Sequence, residues 1–427
     1  MNPFVEYCQS QLALRVAEAP SQEASRHSAW ARFENVGWPT TRLEAWKYTS
    51  LAGLEKITPP TESFAELTWD FLKDHALLPD AKHRMVFIDG VFHEGLSRLD
   101  RLPQGVRIGP WSLLQDAERS DLVPRLMPAQ TMTAFGALNE ALFTDGAVIQ
   151  VSGGAHLDEP LLLLHVTRGM HHGVQYVHLG ENSEMTVVEQ HLNLTDLPCH
   201  GNFATAIQLS PHSRLTWIKV QQGGAQSYHT AAVHAQQQQG SQLRYFPFAL
   251  SGAMGRNDIT IRLVETHAEV ILKGVYQVAD RSLQDFHTSI EHDCPECISD
   301  ECFKGVLDGT GRAVFDGRVR VALDAQKTQS RQSNHNLLLS DKAEVDTKPQ
   351  LEIFADDVKC SHGTTVGQLD ETQWFYLRSR GVDKEVARTL LIKAFVKEIA
   401  EAVPHVEVRQ ALLHWLGTEE EEGFRHV

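Results

Sequence analysis

Gly180-Glu-Asn-Ser-Glu-Met-Thr-Val-Val188 is a polar turn with a small residue at its end, followed by an apolar β run. The pattern returns at Ser210-Pro-His-Ser-Arg-Leu-Thr-Trp-Ile218, at Gln238-Gln-Gly-Ser-Gln-Leu-Arg-Tyr-Phe246 and at Glu265-Thr-His-Ala-Glu-Val-Ile-Leu272. The anchors Ser183, Ser213, Ser241 and Ala268 are 30, 28 and 27 residues apart. Weaker copies are read at Gly311-Arg-Ala-Val-Phe315 and Lys342-Ala-Glu-Val345. A near-constant period with one strand-forming unit per copy is the mark of a solenoid, in which each unit hides its apolar face against the next. With strands and little room for helices, the expected fold is mostly β: a parallel β-helix of stacked coils. The competing reading is a β-sandwich with evenly spaced hairpins. An open stack leaves unpaired backbone at its ends, which must be capped or paired.

Helical sequence flanks this region. Leu12, Leu14, Val16, Ala19, Ala24, Trp30 and Phe33 predict a helix over Cys8 to Phe33, broken by Pro39, with Thr40 or Thr41 capping a short second one. Pro59-Pro60 reads as a linker, and Arg84–Gly90 as a strand and turn. Near the other end, Asp370–Arg380 predicts a helix stopped by Gly381, Asp383 caps a second one that Pro404 ends, and a third carries Val408, Leu412, Trp415 and Leu416. The division expected is a helical and mixed domain over 1–140, a β-helix core over 141–365 and a helical domain over 366–427. The helical regions would serve as caps, and the C-terminal one equally as a docking module. Glu419–Glu422 reads as a solvated tail.

Composition narrows the function. With 39 Lys and Arg against 55 Asp and Glu, the 427 residues carry a formal net charge of −16. No basic stripe exists to displace phosphate counterions, so nucleic acid is not the expected partner. The most apolar short run, Pro160–Val166, is far below the roughly 18 residues needed to span a bilayer and reads as a buried strand. No signal peptide is seen, and six cysteines in this length make no disulfide framework, so a cytoplasmic protein with reduced thiols is expected. No phosphate-binding G-x-x-x-x-G-K-[ST] loop and no G-x-S-x-G nucleophile elbow occur.

Three groups of residues carry metal or thiol chemistry. Cys294-Pro-Glu-Cys297 with Cys302, downstream of His287 and His292, offers soft ligands for zinc or an iron–sulfur centre, though no four-ligand spacing is completed. Asp356-Asp-Val-Lys-Cys-Ser-His-Gly363 places Cys360 and His362 two apart, hence on one face of a strand, where they could share a ligand. Asp356 and Asp357 add hard oxygens nearby, and Gly363 allows a tight turn or the close approach of another chain. His165, His171, His172, His178, His191 and His200 fall in the first coils and read mainly as surface or hydrogen-bonded residues. The same residues leave open a buried Cys with a hydrogen-bonded His, or a cysteine nucleophile, at 360–362.

Leu337-Leu-Leu-Ser-Asp-Lys-Ala343, the run from Thr347 through Lys359-Cys-Ser-His-Gly363 to Asp370, and Phe375-Tyr-Leu-Arg-Ser-Arg-Gly381 closely resemble the SufB/SufD family of iron–sulfur cluster assembly proteins. Ala313–Arg318 and Ala325–Thr328 fit it too, and Pro39-Thr-Thr-Arg-Leu-Glu-Ala-Trp-Lys-Tyr-Thr49 resembles its SufD branch. The resemblance covers essentially the whole chain. It implies a parallel β-helix with helical flanks and a non-catalytic subunit. Such a subunit pairs with a SufB-like paralogue through the β-helix core and docks a SufC-like ABC ATPase through its C-terminal helices. ATP-driven dimerisation of that ATPase would rearrange the interface where a nascent cluster is built. Cys360 and His362 would lie at that interface, with His362 as the iron or cluster ligand. The isolated chain would bind no cofactor stably, and without its partner it could form a homodimer. The family gives no ligand role to Cys294, Cys297 or Cys302. Two other readings remain: an independent metal- or cluster-binding protein using those cysteines, and a β-helix enzyme acting on a polysaccharide.

Overall fold

A computed structural model describes residues 2–58, 66–126 and 133–416. Pro59-Pro60 and Glu419–Glu422 lie outside the described residues. From Asp145 to Gly367 the chain winds through about eight turns of a solenoid, each contributing one strand to each of two parallel sheets. The first sheet has ten strands and the second nine. In the first sheet Glu184 pairs in register with Arg214, Arg214 with Gln242, Gln242 with Glu269, Glu269 with Ile298, Ile298 with Gln329 and Gln329 with Lys359. Register partners on parallel strands point to the same face, so each coil repeats its neighbour's inside and outside.

Each repeat anchor lies one residue before a first-sheet strand. Ser183, Ser213, Ser241 and Ala268 are buried at one corner, and the column continues through Cys297 and Thr328. The residue before each anchor (Asn182, His212, Gly240, His267, Glu296, Lys327) has φ between 56° and 61°, the left-handed turn that bends the chain into its strand. Four of the anchors close the corner with a hydroxyl: Ser183, Ser213 and Ser241 each donate to the carbonyl three residues back at 2.7 Å, and Thr328 does so to Ala325 at 2.9 Å. The two weaker copies expected at Gly311 and Lys342 belong elsewhere. They open the strands Arg312–Val321 and Glu344–Ile353 of the second sheet, at the opposite corner. The misreading has a simple cause: both corners use a small residue before a strand.

The run Leu161–Leu164 shows why the strands look apolar on both sides. Leu161 and Leu163 face the solenoid interior with Val187, Trp217 and Leu243. Leu162 and Leu164 face out, beneath a layer of helices. Those helices are Lys384–Glu401 and Val406–Trp415, with Asp383 and His405 as their N-caps. Their Ile392, Val396, Ile399, Leu412 and Leu416 cover Ile218, Val220, Phe246, Val275 and Val306. The C-terminal helices therefore lie along the outer face of the first sheet. They do not cap the end of the stack, because the sheet's second apolar face needs the cover.

The N-terminal region covers the second sheet. The helix expected over Cys8–Phe33 is two helices, Pro3–Glu18 and Glu23–Val36, separated at Ala19-Pro20, and the second ends at Gly37. Pro20 forces the break. The segment after Thr40 forms a single 3-10 turn, Glu44–Trp46, without a side-chain cap. This turn docks on a buried cation. Arg256 lies 4.4 Å under the Trp46 ring, donates to the Ala45 carbonyl at 2.7 Å and pairs with Asp258 and Asp285, each at 2.7 Å. The start of the solenoid is closed by strand His83–Ile88, parallel to His156–Thr167, and by Val106–Pro110, antiparallel to Asp145–Val151. At the far end Glu344–Ile353 and Lys359–Gly367 are the outermost strands, and among the described residues no further strand pairs with either.

Gly240 tests the corner. Any Cβ there would meet the His212 ring at 2.5 Å, and a non-glycine residue in this conformation costs about 1–2 kcal/mol. Gly240→Val is expected to lower the urea midpoint, read by circular dichroism, while Asn182→Gly at the equivalent corner leaves it unchanged or raises it.

Candidate functional site

The last rung of the first sheet, Lys359–Gly367, pairs in register with Gln329–Leu337, so Cys360 stands over Ser330 and His362 over Gln332. Ser330 and Gln332 are buried inside the solenoid, 4% and 1% exposed. Cys360 and His362 therefore face inward, at the mouth of the open stack. Cys360 is half-buried against the interior core, and burial pushes its thiol pKa up. His362 is exposed. The expected pairing of Cys360 with His362 on one strand face is what the register gives.

The neighbouring candidates are arranged differently. Asp356 and Asp357 sit exposed in the corner before the strand, where the Asp357 backbone carbonyl accepts from Lys327 N and its N–H donates to Gln326 Oε1. Gly363 makes no turn. It lies within the strand, and a Cβ on it would meet nothing within 4 Å, which leaves that face open to approach.

Cys297 and Cys302 point to different sides of the first sheet. Cys297 is a corner residue of the interior core, its Sγ donating to the Glu265 carbonyl at 3.2 Å. Cys302 faces outward into the layer under the C-terminal helices. Cys294 donates to the Val264 carbonyl at 2.9 Å. Burial raises all three thiol pKa values, Cys297 to about 11, which disfavours the thiolate that a metal needs. Among the described residues no group of three His, Cys, Asp or Glu side chains is placed to hold a metal ion by itself.

The histidines of the first coils are mostly inside the protein. His165, His171, His172, His191 and His200 are buried, and only His178 is half-exposed, bonded to Ser210. Burial lowers the basicity of all of them. His165 and His191 stack at 4.9 Å, and His191 Nε2 lies 2.8 Å from Glu189. Burial would raise the Glu189 carboxyl, but His191 and Lys219 outweigh it and hold the pKa at about 2. The hydrogen-bonded half of the reading holds for His165, His172, His191 and His200. The surface half fails because His165, His171 and His191 turn into the solenoid while His172 and His200 face out beneath the N-terminal helices.

Sequence reasoning missed the column beneath His362. Glu301, Gln332 and His362 are successive register partners, and Gln332 Nε2 donates to Glu301 Oε2 at 2.7 Å. Glu301 is fully buried, and the desolvation raises its pKa to about 7. The signal was present: Gln329-Ser-Arg-Gln-Ser-Asn-His-Asn336, the first eight residues of the strand Gln329–Leu338, has no apolar residue on either face.

The chain matches the family model described as SUF system FeS cluster assembly, SufBD core domain, over residues 165–395. The chain belongs to the SufBD family. It is 33% identical over 389 residues to the iron–sulfur cluster assembly protein SufD of Escherichia coli (strain K12), covering 90% of this chain and 89% of that one. An iron–sulfur cluster assembly SufBD family protein of Synechocystis is 32% identical over 380 residues, covering 86% and 84%. Protein ABCI7, chloroplastic, of Arabidopsis thaliana is 26% identical over 433 residues, covering 97% and 91%. The role of this SufBD protein is thus in iron–sulfur cluster assembly by the SUF system. No helix among its described residues is long and apolar enough to cross a membrane.

Two outcomes test this geometry. Cys297→Ser replaces the thiol by the serine that three equivalent corners already carry, so thermal stability and iron recovered with the protein are expected to stay unchanged; loss of iron would restore Cys297 as a ligand. Glu301 makes stability pH-dependent. Its folded pKa lies above its unfolded value near 4.5, so stability held at low pH is lost as pH rises through about 7, on the order of 3 kcal/mol in all. Glu301→Gln is expected to abolish that part of the decline in urea midpoints measured from pH 4.5 to 8.

Proposed function

We propose that this SufBD protein is a non-catalytic subunit of a cytoplasmic SufB–SufC–SufD-type complex, with Cys360 and His362 contacting iron or a nascent cluster as cargo where a partner completes the solenoid. The observation that carries the reading is the open last coil, with a thiol and an imidazole facing inward at its mouth. Two ligands from this chain, Cys360 and His362, would be too few for a cluster, and a second chain seated on the edge would supply the rest. The partner we assign to that edge is a SufB-like paralogue. A second copy of this chain could use the same edge when the paralogue is absent.

The C-terminal helices are the proposed dock for a SufC-like ABC ATPase. Helix Glu371–Ser379 has no buried residue, and Phe375 and Tyr376 on it are 72% and 57% exposed. Exposed aromatics at this density are unusual on a surface that stays free. The long helix behind it is anchored to the solenoid by Lys304, which donates to the Phe395 carbonyl and pairs with Glu398, both at 2.8 Å. A force on the outer helices would thus reach the strand Ile298–Leu307, whose inward face carries Glu301.

Anaerobic affinity purification of the tagged chain from its native cytosol, read by mass spectrometry, tests the partners. An ABC-type ATPase and a longer paralogue in near-equal amounts are expected. The His362→Ala variant is expected to recover the same partners with several-fold less iron. Recovery of the chain alone with stoichiometric metal would overturn the proposal.

A further inference from the structure

We infer that Gln332, held by Glu301, is a positioning residue for His362: its free amide oxygen accepts the proton-bearing imidazole nitrogen and leaves the other nitrogen bare toward the cargo. This rests on the reading of His362 as an iron or cluster contact. Three observations carry it. The side chains of Glu301, Gln332 and His362 follow one another on the same inner face of three consecutive rungs. Adjacent rungs are about 4.8 Å apart, within reach of one hydrogen bond between a glutamine amide and an imidazole. Gln332 Nε2 is committed to Glu301 Oε2 at 2.7 Å, so the amide plane is fixed from below. Gln332 Oε1 is buried and has no hydrogen-bond partner in the chain as it stands. A buried carbonyl left unpaired costs about 1–3 kcal/mol, and the rung above it is His362.

The opposite sheet is built to admit this amide. Gly317 faces the interior across from Gln332, and a Cβ there would come within 2.6 Å of Gln332 Nε2 and 2.7 Å of the Phe315 ring. Glycine at this point leaves the space that the glutamine side chain occupies. The adjoining column is polar in the same way: His292 Nε2 lies 2.9 Å from Ser299 Oγ, which donates to Ser330 Oγ at 2.8 Å, directly beneath Cys360. Imidazoles that bind metal commonly give their second N–H to such an acceptor, and losing it typically weakens metal binding 10–100-fold.

The test titrates Co(II), as a spectroscopic stand-in for iron, into the assembly recovered through the tagged chain (or into the full-length chain if nothing accompanies it), without oxygen. His362→Ala is expected to abolish the His-dependent d–d absorption. Gln332→Leu is expected to raise the Kd 10–100-fold with the stoichiometry kept, and Glu301→Leu to raise it less. Glu301→Gln, which still offers an oxygen to the Gln332 amide, is expected to have the smallest effect of the three. A merely structural role would instead lower the stoichiometry through misfolded protein and leave the Kd of the remainder unchanged; thermal melts identify that fraction. Wild-type Kd in Gln332→Leu, alongside loss of binding in His362→Ala, overturns the positioning role and leaves the ligand reading intact. Unchanged binding in His362→Ala, or none in the wild type, overturns the ligand reading and this inference with it.

Discussion

In-register stacking of parallel coils is the constraint on which everything else in this SufBD protein depends. A residue that faces inward in one coil makes its register partner in the next coil face inward too. The consequence is visible in Leu161–Leu164, where alternate leucines serve two different cores. It is visible again in the corner column from Ser183 to Thr328, where the turn N–H groups bond to the following coil, as His212 N does to the Gln239 carbonyl at 2.8 Å. Asn182, Gly240, Glu296 and Lys327 donate to the following coil in the same way, which satisfies these turn N–H groups within the stack. The same rule makes the final rung present its inner face to the outside, and so puts Cys360 and His362 at a mouth instead of on a flank.

Stacking also explains how a solenoid interior can hold so many polar groups. A buried polar side chain is expensive unless it is paired, and a column supplies a partner at every step. Two solutions coexist here. Around Glu189 the charge is kept, because His191, the Trp217 indole N–H at 2.8 Å and Lys219 surround the carboxylate. Burial in turn lowers the Lys219 pKa to about 8. Around Glu301 the described residues place no paired cation, only the Gln332 amide, so burial drives the carboxyl toward its neutral form. Asn334 and Asn336, linked to Tyr276, continue this uncharged polar interior along the same strand. The polar lining thus becomes neutral toward the open end.

How far this was legible depended on whether a residue's partner is near in sequence or near in space. The solenoid could be read because Ser183, Ser213, Ser241 and Ala268 recur with one period. The next two corners escaped because Cys297 and Thr328 replace serine, and the cysteine drew attention as a ligand. The C-terminal helices were readable from Asp370, Asp383 and their apolar stripe. That they lie along the first sheet was not, since Ile392 and Val396 find Val275 and Val306 only through the fold. Cys360 and His362 stood out through spacing and resemblance. Gln332 did not, because glutamine on a strand normally signals solvent, and only the register shows that this one points inward.

The two strands that end the stack are unequal as edges, and the difference bears on which one a second chain can use. Glu344–Ile353 carries Glu344, Asp346, Lys348 and Glu352, and Pro349 interrupts its run of donors. Charges and proline are the usual means of keeping an edge from pairing indiscriminately. Lys359–Gly367 has no carboxylate and one lysine, at its start, followed by Cys, Ser, His, Thr and Val side chains and two glycines. Its backbone is thus the accessible template of the pair, and Gly363 leaves the outer face of this rung uncovered. A chain that extends the first sheet there would add the next rung above Cys360 and His362. It would shield their inner face from water and bring its own inward residues one strand spacing away. The register that orders this protein's own coils would then order the groups that two chains share.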